Sequence, residues 1–100
     1  MTHLIFVYGS LRSGASEHWK MDGAKLLGPA ETAPHYRIKE FPGFTGLTPG
    51  GGESVKGEVY EVDDRKLTEL DVWEYQIYRR DLVQLADGRQ VFGYLLDYPH

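Results

Sequence analysis

A chain of 100 residues, 41% hydrophobic and 26% charged, can bury roughly 60–70% of its unfolded surface in one core and is too short for two, so one domain over residues 1–100 is expected and disorder is not. Its net charge is −4, and its 11 basic residues are scattered, which argues against nucleic acid as a partner because displacing counterions from phosphates needs a concentrated cationic face. The absence of cysteine excludes disulfide frameworks, thiolate zinc sites and thiol nucleophiles, and His3, His18, His35 and His100 have no metal-ligand spacing, so no metal is expected.

The first 12 residues carry the organising stretch, Phe6-Val7-Tyr8-Gly9-Ser10-Leu11-Arg12. Residues 3–8 form a near-continuous apolar run ending at Gly9, the pattern of a central strand buried on both faces. A tight glycine turn after such a strand leaves backbone N–H groups without partners, and these can be aimed at an anion or a developing oxyanion. Gly9 and Gly14 have the spacing of a phosphate loop, but Ala15 stands where its lysine belongs. Ser10 lacks the Gly-x-Ser-x-Gly elbow of a nucleophile. The apolar runs 4–8 and 92–96 are far too short for a bilayer, and no basic-then-apolar leader opens the chain, so no membrane partner and a cytoplasmic location are expected.

Ser16 reads as the N-cap of a short, weak helix over 17–21. Residues 24–28 fit either its last turn or a short strand, and Pro29 and Pro34 bracket a connector. His35 to Lys39 alternates as a half-exposed strand with Tyr36 and Ile38 on one face. From 41 to 53, two prolines, five glycines and two phenylalanines predict a long loop, which either borders a site or is a surface excursion. Residues 55–62 alternate as a strand, and Asp63 sits where an N-cap belongs, ahead of a helix from 64 to 73 or 74. Strands over 78–85 and 90–97 flank Asp87-Gly88, the pair favoured in a type I′ hairpin. The order predicts an α+β domain: about five strands in a curved mixed sheet or partial barrel, one main helix and a short second one.

On the main helix, taking Leu67 as the centre of the apolar face puts Leu70 at about −60°, Asp71 at about +40° and Glu74 at about −20°. Glu74 therefore points where a leucine would be expected. Desolvation and the negative end of the helix dipole would both raise its pKa above about 4.3, making a better base near neutral pH. The opposing reading is that the helix ends earlier and Glu74 turns to solvent or pairs with Arg79 or Arg80. Asp71, at the edge of that face, fits a supporting acceptor.

Three stretches in this order, Val7-Tyr8-Gly9-Ser10-Leu11-Arg12, then Val55-Lys56-Gly57-Glu58-Val59-Tyr60, then Leu70-Asp71-x-x-Glu74 with Tyr78-x-Arg80, resemble the gamma-glutamylcyclotransferase-like superfamily. The similarity is greatest to members resembling gamma-glutamylamine cyclotransferase and the AIG2-like proteins, and it spans nearly the whole chain. It implies a small mixed β-barrel with flanking helices and a cavity at the Tyr-Gly-Ser-Leu loop. By position, Tyr8, Gly9, Ser10 and Leu11 would bind the glutamyl group and Glu74 would accept the proton. Arg12, Arg37, Tyr78 and Arg80 are candidates for pocket support, Arg80 chiefly as an ion-pair partner. The implied reaction closes a γ-glutamyl group to 5-oxoproline and releases an amine, with no cofactor. Two departures stand out: Tyr75 replaces the glycine that usually follows the glutamate, where it would narrow the pocket or alter the turn, and the basic tail of some members is missing. The alternative is a non-catalytic small-ligand binder of the same fold. Leaving group and oligomeric state are open, since glutathione, γ-glutamyl amino acids and isopeptides share the part the loop would read.

Overall fold

The computed structural model describes residues 1–9, 18–42 and 44–97. Strand β1 (Thr2–Val7) is followed by a 3₁₀ turn (His18–Met21), β2 (Lys25–Glu31), β3 (Tyr36–Phe41), β4 (Phe44–Pro49), β5 (Lys56–Asp63), helix α1 (Asp64–Glu74), β6 (Tyr78–Gln84) and β7 (Gln90–Leu96). The strands form one sheet in the order β2-β5-β1-β7-β4-β3, with β6 pairing β7 off this path. The fold is the expected α+β mixture, but the barrel is loose: among the described residues the sheet is not closed, and it has seven strands rather than about five.

As its apolar run predicts, β1 is central, antiparallel to β5 and parallel to β7. Ile5, Phe6 and Val7 are all buried, and alternation sends them to different cores. Ile5 and Val7 pack with Tyr60, Val62, Leu67 and Leu70 beneath α1, whereas Phe6 packs with Leu47, Val59, Val83 and Leu95 on the opposite face. Helix α1 begins as Asp63 predicts: its carboxylate accepts from the Lys66 N–H at 2.7 Å.

The topology around β7 places the site. Strand β6 pairs along β7 from Tyr78↔Leu96 to Gln84↔Gln90 and so occupies one whole edge. The other edge is shared: β1 pairs only at Phe92 and Gly93, and β4 only at Leu95. The two take different parts of that edge, and a cavity lined by residues of both lies at the C-terminal end of β1.

Three local expectations are corrected. The predicted loop over 41–53 is largely strand: β3 and β4 form a hairpin in register from Tyr36↔Pro49 to Phe41↔Phe44, with the two phenylalanine rings 4.8 Å apart. Gly46 marks close packing rather than a break, since a Cβ there would lie 2.7 Å from the Leu96 side chain. Pro29 lies within β2, which among the described residues is an edge strand with its ladder to β5, where a missing N–H is tolerated; residues 25–31 are strand. The Asp-Gly turn is not type I′. Gly88 N–H donates to the Leu85 carbonyl and Gly88 alone takes positive φ (+94°), so a type I turn is followed by a left-handed glycine.

Gly57 has a steric reason to be glycine: a Cβ there would sit 2.2 Å from the Val7 carbonyl oxygen and 2.7 Å from the Phe6 ring. Gly57→Ala should cost about 3 kcal/mol through overpacking, read as a lower urea midpoint at unchanged slope. Gly52→Ala, whose Cβ meets nothing within 4 Å, should stay within about 0.5 kcal/mol. Equal effects from the two would refute the backbone-contact account.

Candidate active site

The cavity lined by β1 and β4 has a volume of about 420 Å³. Val7, Tyr8 and Gly9 form one wall, the β3–β4 hairpin contributes Glu40, Phe41, Phe44 and Thr45, and Glu74, Tyr78 and Tyr94 close it from α1, β6 and β7. Gly9 takes the left-handed conformation (φ +65°), and a Cβ there would meet Thr45 Oγ1 at 2.8 Å. The chain thus turns at the end of β1 as expected, and 41–53 does border the cavity. Ser10, Leu11 and Arg12, together with the proposed cap Ser16, lie outside the described residues.

Glu74 is the last residue of α1 and its side chain is only 13% exposed. It neither turns to solvent nor pairs with Arg79 or Arg80. Arg80 Nε instead bonds both Asp71 carboxylate oxygens, at 3.0 and 3.2 Å, and Arg79 lies 3.7 Å from Asp81 and from Asp97. Glu74 Oε1 is 3.7 Å from Lys20 Nζ, whose side chain is 15% exposed. Sequence periodicity could not reveal this partner, because Lys20 lies on the 3₁₀ turn, in a separate element.

Three tyrosines surround the carboxylate. The Tyr8 hydroxyl donates to the Tyr94 carbonyl and accepts from the Leu47 N–H at 2.9 Å, so it joins β1 to both β7 and β4 across their divergence. Burial holds its pKa far above the ordinary value, opposed in part by the Leu47 N–H. Tyr78 donates to the Thr45 carbonyl, and burial, followed by the charge of Glu74, pushes it up to about 12. Tyr94 donates to Asp71 Oδ1 at 2.8 Å and is likewise raised, by burial first and then by that bond. All three stay neutral near pH 7, with their protons committed to structural acceptors. Asp71 has the supporting role its position suggested, receiving Tyr94 and Arg80 from the β6–β7 hairpin.

Two further expectations are settled by position. Tyr75 has helical φ and ψ (−61°, −23°), is 69% exposed and does not line the cavity, so it neither alters the helical turn nor narrows the pocket. Arg37 and Arg80 do not line it either, whereas Tyr78 does. Among the described residues no group of three His, Asp or Glu side chains converges as a metal site, and no helix is long and apolar enough to cross a membrane.

Comparison with known proteins adds a second line of observation. The family model described as "Gamma-glutamyl cyclotransferase, AIG2-like" matches residues 5–99. A Vibrio cholerae protein that bears a provisional gamma-glutamylcyclotransferase name is 43% identical over 90 residues, covering 88% of this chain and 77% of its own length. The zebrafish (Danio rerio) gamma-glutamylaminecyclotransferase C is 35% identical over 95 residues, covering 84% of this chain and 62% of its own. The crystal structure of a mouse AIG2-like protein superposes with a TM-score of 0.84 at 30% identity, covering 99% of this chain and 80% of that one.

The tyrosine cluster dictates a pH dependence. Each hydroxyl binds its proton more tightly folded than unfolded, so the folded chain holds more protons above pH 10 and stability must fall as pH rises. The contribution is intact below about pH 10 and, for Tyr78, is lost as pH climbs through about 12. Urea midpoints measured from about pH 8 to 11.5 should decline above pH 10, less steeply in Tyr78→Phe. A wild-type profile no steeper than that of the variant would contradict the buried assignment.

Proposed function

The chain belongs to the gamma-glutamyl cyclotransferase, AIG2-like family, and on that premise we propose that it cyclises the γ-glutamyl group of a small amine or amide to 5-oxoproline, with Glu74 as the proton carrier. The observation that carries this reading is the largely buried carboxylate of Glu74 in the wall of the same cavity as Gly9. A cavity of about 420 Å³ lies within the usual range for small-ligand sites. Its volume suits a glutamyl group and a modest leaving amine.

The reaction is intramolecular. The substrate α-ammonium must lose a proton before its nitrogen can attack, and the Glu74 carboxylate accepts it. The freed amine attacks the γ-carbonyl carbon, a C–N bond forms, and the carbonyl electron pair moves to oxygen. In this scheme the N–H groups of the loop from Gly9 through Leu11 receive the oxyanion, an interaction worth about 3–4 kcal/mol per donor in other acyl-transfer enzymes. The tetrahedral centre then collapses: protonated Glu74 returns its proton to the leaving nitrogen as the original C–N bond breaks, and the ring nitrogen gives up its remaining extra proton to the freed Glu74 carboxylate, which passes it to the departing amine or to solvent, leaving the neutral lactam. Five-membered ring closure requires the glutamyl chain to be held folded, and the walls formed by Tyr8, Tyr78 and Tyr94 supply that restraint. Tyr8 contributes through its place in the wall, since its hydroxyl is engaged by β4 and β7. Phe41, Phe44 and Glu40 at the hairpin end face the leaving group in this scheme.

A panel of γ-glutamyl amino acids, γ-glutamyl amines, a γ-glutamyl-lysine isopeptide and glutathione, assayed for 5-oxoproline, tests the proposal. At least one member should turn over, and Glu74→Gln should lower kcat by about 10²–10⁴ with KM little changed and an unaltered circular dichroism spectrum. An undiminished variant would remove Glu74 from the mechanism. Absence of turnover across the panel would favour the non-catalytic binder.

A further inference from the structure

Glu74 sits at the C-terminal end of α1, where the helix dipole disfavours negative charge. Glu74 ends a helix whose last turn contains no basic residue, so the partial negative charge of the helix end is not offset from within α1. The groups that face it from β1, β6 and β7 are the hydroxyls of Tyr8, Tyr78 and Tyr94, all neutral and all feeling its charge. Across the cavity the β3 side chain is another carboxylate, Glu40, and one turn back on its own helix is Asp71. Asp71 is neutralised by Arg80. Lys66 on α1 is directed to Glu69, at 3.4 Å. The cation that the described residues bring to Glu74 comes from outside the helix, as Lys20 on the 3₁₀ turn.

Lys20 is built in rather than draped over the surface. Its ammonium lies 5.8 Å from the Trp19 ring centre and 6.0 Å from that of Trp73, and the two indoles are 5.4 Å apart. Its carbonyl accepts from Lys66 Nζ at 3.4 Å, and the neighbouring Met21 is buried in the core beneath α1. The turn is therefore fastened to the helix region at three points, and the ammonium lies between that anchored turn and the end of α1. Yet Lys20 does not line the cavity. It reaches the carboxylate, at 3.7 Å, from outside the described cavity lining.

We infer that Lys20 is a positioning residue for the base, one that keeps the Glu74 carboxylate ionised and fixed at the cavity wall without itself meeting substrate. Its catalytic meaning rests on the cyclotransferase reading, while its electrostatic content does not. A cation this close to a partly buried carboxylate favours the charged form, by one to three pH units in comparable pairs. Its loss moves Glu74 toward the protonated form, which cannot accept a proton, because burial and the helix end then meet less opposition. A purely mechanical role, holding the 3₁₀ turn on α1, would leave the titration of Glu74 where it is.

The test is to follow the Glu74 side-chain carboxyl by ¹³C NMR during acid titration in wild type, Lys20→Met and Lys20→Arg, and to measure kcat/KM against pH in the same proteins. Lys20→Met should raise the Glu74 midpoint by about one unit or more. The acid limb of kcat/KM should move up by the same amount, about a tenfold loss at a pH on that limb for each unit. Lys20→Arg should restore both. Lys20→Gln serves as a second neutral variant if the methionine variant does not fold. An unmoved midpoint in both neutral variants would overturn the inference, whatever the activity. A wild type that processes no γ-glutamyl compound would instead count against the cyclotransferase reading, with the NMR titration still deciding the part played by Lys20.

Discussion

A β-strand has two edges, and in this fold three strands compete for those of β7. Because β6 takes one edge along its full length, β1 and β4 must divide the other, and they can do so only by diverging. Divergence leaves backbone groups that no ladder satisfies, and unpaired buried groups are costly. The Tyr8 hydroxyl resolves this by donating to the Tyr94 carbonyl on β7 and accepting from the Leu47 N–H on β4. One phenol thus does locally what a further run of strand pairing would have done, and Tyr8 lines the cavity beside it. Gly9 turns the chain at the cavity rim.

That constraint explains which parts of the molecule could be read directly from residue order. The buried character of β1 follows from a continuous apolar run, and the start of α1 from the Asp63 cap, because both signals lie within a few residues of their effect. Helical spacing offers an inward direction for Glu74 but leaves a turn to solvent equally open, and it is the docking of the helix end, with the side chain 13% exposed, that decides between them. By contrast, β4 carries Gly46 and Pro49, which read as loop in isolation; it becomes a strand because β7 and β3 offer it partners from both sides. Pro29 is misleading for the complementary reason, since β2 lies at an edge and needs donors on one side only. In each case distant pairing overrides a local preference.

The same distinction applies within the site. Tyr8 and Glu74 were recognisable from their motifs, but what each is bonded to depends on residues far away in the chain. Tyr94, Thr45 and Lys20 enter through strand register and through the docking of the 3₁₀ turn, neither of which leaves a periodic trace. The two phenylalanines within 41–53 were visible as apolar residues in an apparent loop. Their stacking across the hairpin explains why they are there.

The electrostatics of Glu74 contain an opposition that bears on the proposed chemistry. Moving a proton from an α-ammonium of pKa near 8 to a carboxylate of pKa near 4.3 is uphill by about 5 kcal/mol, a tolerable share of the roughly 16 kcal/mol barrier of an enzyme turning over about ten times per second. Burial and the helix end make that step easier by raising carboxylate basicity, but carried far enough they would leave the group protonated before substrate arrives. A cation at the distance of Lys20 acts the other way, since it favours the charged form of a carboxylate and so widens the pH range over which it is ionised. The loss in basicity is partly recovered once the amine attacks, because the negative charge surrendered at the carboxylate reappears on the oxyanion within the same cavity. A fixed ammonium outside the cavity lining acts on both charges, more strongly on the nearer one. Its net effect on the barrier is therefore smaller than its effect on the resting carboxylate, which is the condition under which a buried cation beside a base assists the reaction.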